Sequence, residues 1–252
     1  MKNVRPKKHL GQHFLNDDEI ALRITDLLSK KTKHVIEIGP GMGMLTKFLL
    51  NKYFSIQLVE IDSESVFYLK LKYPQLIGKI TEDDFLQINL AEKYKYSFSL
   101  IGNFPYNISS QILFKAFENR DQITEVIGMF QKEVAERVAC KKGKKRGVLS
   151  VLLQAFYDIE YCFTINEDVF TPPPKVKSGV IKLVRNSCKQ LACNEKKFIL
   201  VVKSSFNQRR KTLRNTLKSF NLDNENQIQD LLRLRAEQLS VEDFITITKH
   251  VR

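Results

Sequence analysis

Apolar and polar positions recur with two different periods along the first 186 residues, and the switching between them marks out strands and helices. His34-Val35-Ile36-Glu37-Ile38 is a short apolar run of the kind a buried strand makes. Similar runs centre near residues 56, 77, 98, 124, 159 and 180; the third covers Leu76 to Ile80 and the fourth Ser97 to Ile101. Helical spacing predicts helices over 43–51, 63–71, 108–118, 131–140 and 148–155. Such alternation predicts an α/β fold built on a doubly wound, mostly parallel sheet. Residues 186–194 are polar and carry no periodic apolar face, so the chain is expected to divide into 1–186 and 187–252. Beyond that boundary 197–202, 212–217, 228–234 and 241–247 read as short helices, a small all-helical domain. Pro172-Pro173-Pro174 is a stiff connector, made interesting by the Phe170 before it.

The predicted strands deliver chemistry at their carboxyl ends, where open α/β sheets bind ligands. Gly39-Pro40-Gly41-Met42-Gly43-Met44 follows the first strand. A dinucleotide loop wants G-x-G-x-x-G, and its sixth position here is Met44. The alternating G-x-G-x-G behind Glu37 instead resembles the S-adenosyl-L-methionine (SAM) loop of Rossmann-like methyltransferases. Glu60, ending the next strand, is placed to accept hydrogen bonds from both ribose hydroxyls, while Asp62 suits a helix cap. Asp83 and Asp84 compete for the cofactor's adenine amine. Asn103-Phe104-Pro105-Tyr106 closes the fourth strand. As an isolated tetrapeptide it is an ordinary turn; in this order it suits alkylation of adenine's exocyclic amine. That nitrogen's lone pair is delocalised into the ring. A pair of acceptors, the Asn103 oxygen and the carbonyl of the residue before or at Pro105, would hold its N–H bonds out of plane. Pro105 stiffens the turn, and Tyr106 offers a face to a base taken out of its stack.

Longer segments carry a resemblance. Lys8-His9-Leu10-Gly11-Gln12-His13-Phe14-Leu15-Asn16-Asp17 resembles the G-Q-[NH]-F-L-x-D segment of the KsgA family, ribosomal RNA adenine N6,N6-dimethyltransferases. Gln131-Lys132-Glu133-Val134-Ala135-Glu136-Arg137, Phe170-Thr171-Pro172-Pro173-Pro174-Lys175-Val176-Lys177-Ser178 and Ser205 to Asn215, with its R-R-K-T-L-R-N, resemble further motifs of that family. The likeness runs over nearly the whole chain. It implies a Rossmann-like SAM-dependent methyltransferase with a helical rRNA-binding C-terminal domain. The cofactor would sit on Gln12, His13, Leu15, Gly39, Gly41, Glu60, Asp84 and Asn103, Asp84 being preferred over Asp83 because Asp84-Phe85-Leu86 fits the family's D-x-[LM]. Gln12 to Leu15 would fold over the methionine end, with His13 acting through its main chain. Asn103, Pro105, Tyr106 and Phe170 would handle the target base, which stacks between Tyr106 and Phe170. The resemblance further implies two adjacent adenines near the 3′ end of small-subunit (16S) rRNA as target, a pre-30S particle as partner, a monomer, and the cytoplasm. Two departures touch RNA contacts: Arg146 replaces an expected RNA-facing tyrosine, and Lys177 replaces a common acid.

Composition narrows the alternatives. The 252 residues are 43% hydrophobic and 27% charged, ordinary for a globular chain. No run reaches a membrane span, and the N-terminal cations precede no apolar h-region. Cys140, Cys162, Cys188 and Cys193 form no C-x-x-C pair, so reduced thiols and no metal are expected. A net charge of +13 points toward a polyanion. Its cations gather in Lys2, Arg5, Lys7 and Lys8, in Lys141 to Arg146, and around Arg209, Arg210, Lys211, Arg214 and Lys218. His9, His34 and His250 read as surface or turn residues, and the Tyr53/Phe54 and Phe114/Phe117 pairs as core. Two rival readings remain: an Erm-like methyltransferase of large-subunit rRNA, and a ribosome-assembly factor in which methylation is secondary. A DNA adenine methyltransferase is disfavoured, since nothing resembles a target-recognition domain.

Overall fold

A computed structural model describes residues 4–52 and 55–252; Lys2 and the Tyr53/Phe54 pair lie outside them. The chain forms two compact units, one of residues 1–135 and 159–185 and the other of 136–158 and 186–252. The chain passes from the first to the second beside Asn186, where the polar stretch begins, but 136–158 also belongs to the second unit.

The strands are β1 (Phe14–Leu15), β2 (His34–Ile38), β3 (Ser55–Glu60), β4 (Ile80–Glu82), β5 (Phe98–Asn103), β6 (Ile123–Gln131), β7 (Tyr157–Ile165), β8 (Phe170–Thr171) and β9 (Ser178–Arg185). Seven of them make one sheet in the order β4-β3-β2-β5-β6-β9-β7. The pairs from β4 to β6 are all parallel, and β9 runs antiparallel to β6. Parallel strands are covered on both faces, which is why their runs are almost continuously apolar. On one face Val35, Ile56, Ile101 and Ile127 enter a core shared with Ala21 and Ile24; the alternate residues Ile36, Leu100 and Val126 are equally buried. The mostly parallel α/β sheet is the one the hydrophobic pattern predicts.

The helices are α1 (Asp18–Asp26), α2 (Thr46–Leu49), α3 (Ser63–Lys72), α4 (Leu90–Lys93), α5 (Ser109–Glu118), α6 (Lys132–Ala139), α7 (Val148–Gln154), α8 (Glu195–Asn207), α9 (Leu213–Thr216), α10 (Gln229–Arg233) and α11 (Val241–Lys249). Three local differences from the sequence pattern have physical causes. The third parallel strand starts at Ile80, not Leu76, because Pro74 opens a 3-10 turn that buries Leu76 in the core. Helix α1, absent from the pattern reading, is capped by Asp17, whose side chain accepts the Ile20 N–H at 2.9 Å. A separate two-stranded ribbon pairs Leu15 with Phe170 and Phe14 with Thr171, elements too short to show a period.

The second unit packs Phe198, Val201, Leu213, Leu232 and Phe244 into its own apolar core. Arg146 lies there too, and the reading of it as an RNA-facing cation is overturned. The residue is 1% exposed, and its Nη1 donates to the Cys140 carbonyl at 2.8 Å and to Gln154 Oε1 at 2.6 Å. Its charge is spent on capping carbonyls. Among the described residues no helix is long and apolar enough to cross a membrane, and no cluster of His, Cys, Asp or Glu side chains is placed to hold a metal ion.

Candidate functional site

The carboxyl ends of β2, β3 and β5 open onto a pocket in the first unit, where open α/β sheets bind ligands. Gln12, His13, Gly39, Gly41, Glu60 and Asp84 line it, as do Asn103, Pro105 and Tyr106. An adjoining cavity of about 700 Å³ touches Leu15, Glu37, Gly39 and Asn103. Two of the expected residues lie outside the first pocket: Leu15 faces the second, and Phe170 faces neither.

On the β3 side, Glu60 is 4% exposed. Its carboxylate accepts the Gly41 N–H at 2.9 Å and the Asp62 N–H at 3.0 Å, one on each oxygen. Burial still pushes its pKa up, against those two hydrogen bonds. Each oxygen keeps a lone pair for a ligand hydroxyl. Gly41 has a φ of +55°, and a Cβ there would stand 2.8 Å from the Phe14 ring, so the loop and the N-terminal segment touch only because the side chain is missing. Ile61, half exposed, and Phe85 supply apolar wall, while Asp83 and Asp84 stand at the rim. Asp84 is the less exposed of the two, and its Oδ1 already accepts the Leu86 N–H at 2.9 Å.

The N-F-P-Y turn is seated by Phe104. Its ring is fully buried, edge-on to Phe130 with centroids 5.2 Å apart. A Cβ on Gly128 of β6 would come within 2.4 Å of that ring, so the glycine makes the slot. The Pro105 carbonyl accepts the Ile108 N–H at 3.1 Å, while among the described residues no donor reaches the Phe104 carbonyl. Of the two carbonyls left open by the sequence, the Phe104 oxygen has both lone pairs free of described protein donors, and the Pro105 oxygen keeps one. The Asn103 Nδ2 donates to the His13 carbonyl at 2.7 Å. That bond fixes the amide's orientation and leaves Oδ1 as the acceptor in the pocket that Asn103 lines.

His13 contributes more than its main chain. Its ring stacks on Tyr106, centroids 5.5 Å apart at 28°, and its Nδ1 lies 2.7 Å from the Pro172 carbonyl. The Tyr106 hydroxyl is 2.5 Å from Ser178 Oγ. Phe170, expected to stack on the base opposite Tyr106, is 3% exposed and packs in the apolar core behind the β1–β8 ribbon, where hydrophobic burial holds it.

Sequence reasoning missed the fastening of the N-terminal segment. Asp62 caps α3, as anticipated, but it also receives Gln12 Nε2 at 3.2 Å and forms an ion pair with Lys7. Burial alone would raise the Asp62 pKa; the hydrogen bonds from Lys7, Gln12 and Ser65 outweigh it and bring the net value down. Lys7 was counted only as one cation of a cluster. Glu37 is the other surprise. It is 1% exposed, and burial pushes its pKa up to about 8 although Thr46 Oγ1 donates to it.

This donor set fits the nucleoside end of SAM: a buried carboxylate with spare lone pairs, apolar walls, and further carboxylates at the rim. Sheet order, glycine loop and acceptor-bearing turn together define a Rossmann-like methyltransferase. The sequence profile described as "Ribosomal RNA adenine dimethylase" matches residues 3–252. The chain is 58% identical over 252 residues to a ribosomal RNA small subunit methyltransferase A of Cytophaga hutchinsonii, covering 98% of each chain. It is 57% identical to one of Flavobacterium johnsoniae, covering 100% of this chain and 97% of the other. The chain belongs to the ribosomal RNA adenine dimethylase family. Two solved structures share its fold. One is a dimethyladenosine transferase from Plasmodium falciparum, with TM-score 0.76, 24% identity and coverage of 93% and 96%. The other is the 23S rRNA methyltransferase ErmE, with TM-score 0.72, 21% identity and coverage of 93% and 99%.

Proposed function

We infer that the chain transfers methyl groups from SAM to the N6 amine of two adjacent adenines in the 3′-terminal hairpin of small-subunit rRNA. The observation that carries this reading is the Asn103 amide, tied at its nitrogen to the His13 carbonyl at 2.7 Å so that its oxygen is left to accept. Family membership and relatives named as small-subunit methyltransferases support the substrate class.

When bound, SAM supplies an electrophilic methyl on its sulfonium sulfur. Glu60 accepts from the ribose hydroxyls, Asp84 from the cofactor's adenine amine, and Gln12, His13 and Leu15 cover the site beside Gly39 and Gly41. Adenine N6 is a poor nucleophile because its lone pair is shared with the ring. Asn103 Oδ1 and the Phe104 carbonyl take its two N–H bonds and turn the lone pair out of the ring plane. Pro105 keeps both acceptors in register, and Tyr106 supplies the stacking face. In this reading the neighbour of Tyr106 is His13, and Phe170 supports the wall from the core. Residues 187–252, with the 136–158 segment that clusters with them, form the rRNA-docking part. The protein acts as a monomer in the cytoplasm on a pre-30S particle.

The test is methyl transfer from SAM to unmodified small subunits, read by mass spectrometry of digested rRNA. N6,N6-dimethyladenosine in the 3′-terminal hairpin is expected. Asn103→Ala should cut turnover about 10²- to 10³-fold with SAM affinity largely kept; equal loss of both would overturn the role given to Asn103. Methylation of large-subunit RNA instead would favour the rival target, and tight binding without transfer would favour an assembly factor.

A further inference from the structure

The second unit carries a lysine-rich loop whose shape is fixed from beneath. Between α6 and α7 the chain reads Cys140-Lys141-Lys142-Gly143-Lys144-Lys145-Arg146-Gly147. Mutual repulsion should spread such a run into solvent. Instead the Arg146 N–H closes a turn onto the Gly143 carbonyl at 2.9 Å, and the Gly143 N–H donates to the Glu237 carbonyl at 2.8 Å. The buried Arg146 guanidinium grips the start of the loop at the Cys140 carbonyl. Lys145 pairs with Glu136. Lys141, Lys142 and Lys144 remain exposed.

The last clamp comes from the R-R-K run after α8. Arg209 Nη2 donates to the Lys144 carbonyl at 3.1 Å and to the Arg146 carbonyl at 2.7 Å. Neighbouring Arg210 and Lys211 are exposed. Both arginines of this run are exposed, and it is the bonding of Arg209 to the loop that sets them apart, a distinction their adjacency in sequence hides.

We propose that Lys141, Lys142 and Lys144 form a preshaped docking surface for rRNA backbone phosphates, and that Arg209 is the positioning residue that holds its shape. This rests on the rRNA reading above. Arg210 and Lys211 are left to face phosphate, whereas Arg209 commits its Nη2 to two loop carbonyls. Both bonds leave the one nitrogen Nη2, so a lysine there would keep the charge but carry it on a flexible stem, without the rigid planar group that aims that nitrogen at the two carbonyls. A surface ordered in advance binds without the cost of ordering it on contact.

The test uses the full chain, SAM and unmodified small subunits, reading KM for subunits, kcat, the salt dependence of KM, and trypsin cleavage within the loop. The triple variant K141Q/K142Q/K144Q should flatten the salt slope by about 2 to 3, one increment per lost phosphate contact, with SAM affinity unchanged. R209K and R209A should each raise KM about tenfold, the loss of two hydrogen bonds, with kcat kept and loop cleavage accelerated. A wild-type KM and cleavage rate for R209K would show that Arg209 acts through its charge and would overturn the proposal. So would an unchanged salt slope in the triple variant. Failure of the wild-type chain to methylate small subunits would sink the rRNA reading itself, and the docking surface with it.

Discussion

Replacing Glu37 with Gln should stabilise the free protein at alkaline pH and leave it unchanged in acid. Glu37 lies one residue before the end of β2 at 1% exposure, its donors being Thr46 Oγ1 at 2.7 Å and the Thr46 backbone, with Glu60 close enough to add repulsion. Burial raises its pKa from 4.5 to about 8. A carboxyl whose folded-state pKa lies above its unfolded value binds a proton on folding between the two. Its contribution is fully present below about pH 4.5 and is lost as pH climbs to about 8. At 1.36 kcal/mol per pH unit the whole rise amounts to roughly 5 kcal/mol. Relaxation and water entry from the adjoining cavity reduce that, so about 2 to 5 kcal/mol is expected. Gln keeps an acceptor for Thr46 and never ionises. Urea unfolding without SAM at pH 4, 7 and 9 should give nearly coincident stabilities at pH 4 and a variant advantage growing to that size at pH 9. Parallel curves across the window would mean that Glu37 is already ionised in the neutral fold, and the burial argument would fail.

Three further perturbations separate roles within the site. Gly41→Ala forces a side chain into φ +55° and against Phe14; about 1 to 2 kcal/mol of backbone strain plus displacement of the N-terminal segment should weaken SAM binding about tenfold or more by calorimetry, and an affinity within twofold would refute it. Tyr106→Phe removes only the contact with Ser178, so single-turnover rates should fall no more than about fivefold; Tyr106→Ala loses the stacking face and should cost about 10- to 100-fold at unchanged SAM affinity. Phe170→Ala should lower unfolding stability by about 3 to 5 kcal/mol because the ring sits in the core; a variant that melts like wild type but no longer turns over would return Phe170 to the substrate face.

What was legible in the chain was whatever a strand end carries locally. The glycine loop, Glu60, Asp84 and Asn103 each follow an apolar run, and the parallel order of those runs brings them to one pocket without further information. Contacts between distant short pieces were invisible. Lys7 and Gln12 meet Asp62 across some fifty residues of sequence, and nothing near Lys7 distinguishes an ion pair from a solvated cation. Leu15 and Phe170 pair through strands of two residues, too few to show alternation. Arg146 and Arg209 sit in runs whose charge suggests solvated cations, yet carbonyls left over at turns bury the Arg146 guanidinium and engage that of the exposed Arg209. Helical spacing predicted α6 and α7 but could not say which core they join, and 136–158 falls with the C-terminal residues.

The bond between Asn103 and His13 sets the polarity of the site. A carboxamide has two faces of opposite sense, and turning it by half a revolution exchanges an acceptor for a donor. While the His13 carbonyl holds Nδ2, the oxygen is the only end that can meet an incoming amine. Without that bond, the amide would be free to turn its NH₂ toward the amine, and donor would face donor. On the proposed reading, a main-chain carbonyl of the N-terminal segment thereby decides which end of the amide the base would meet.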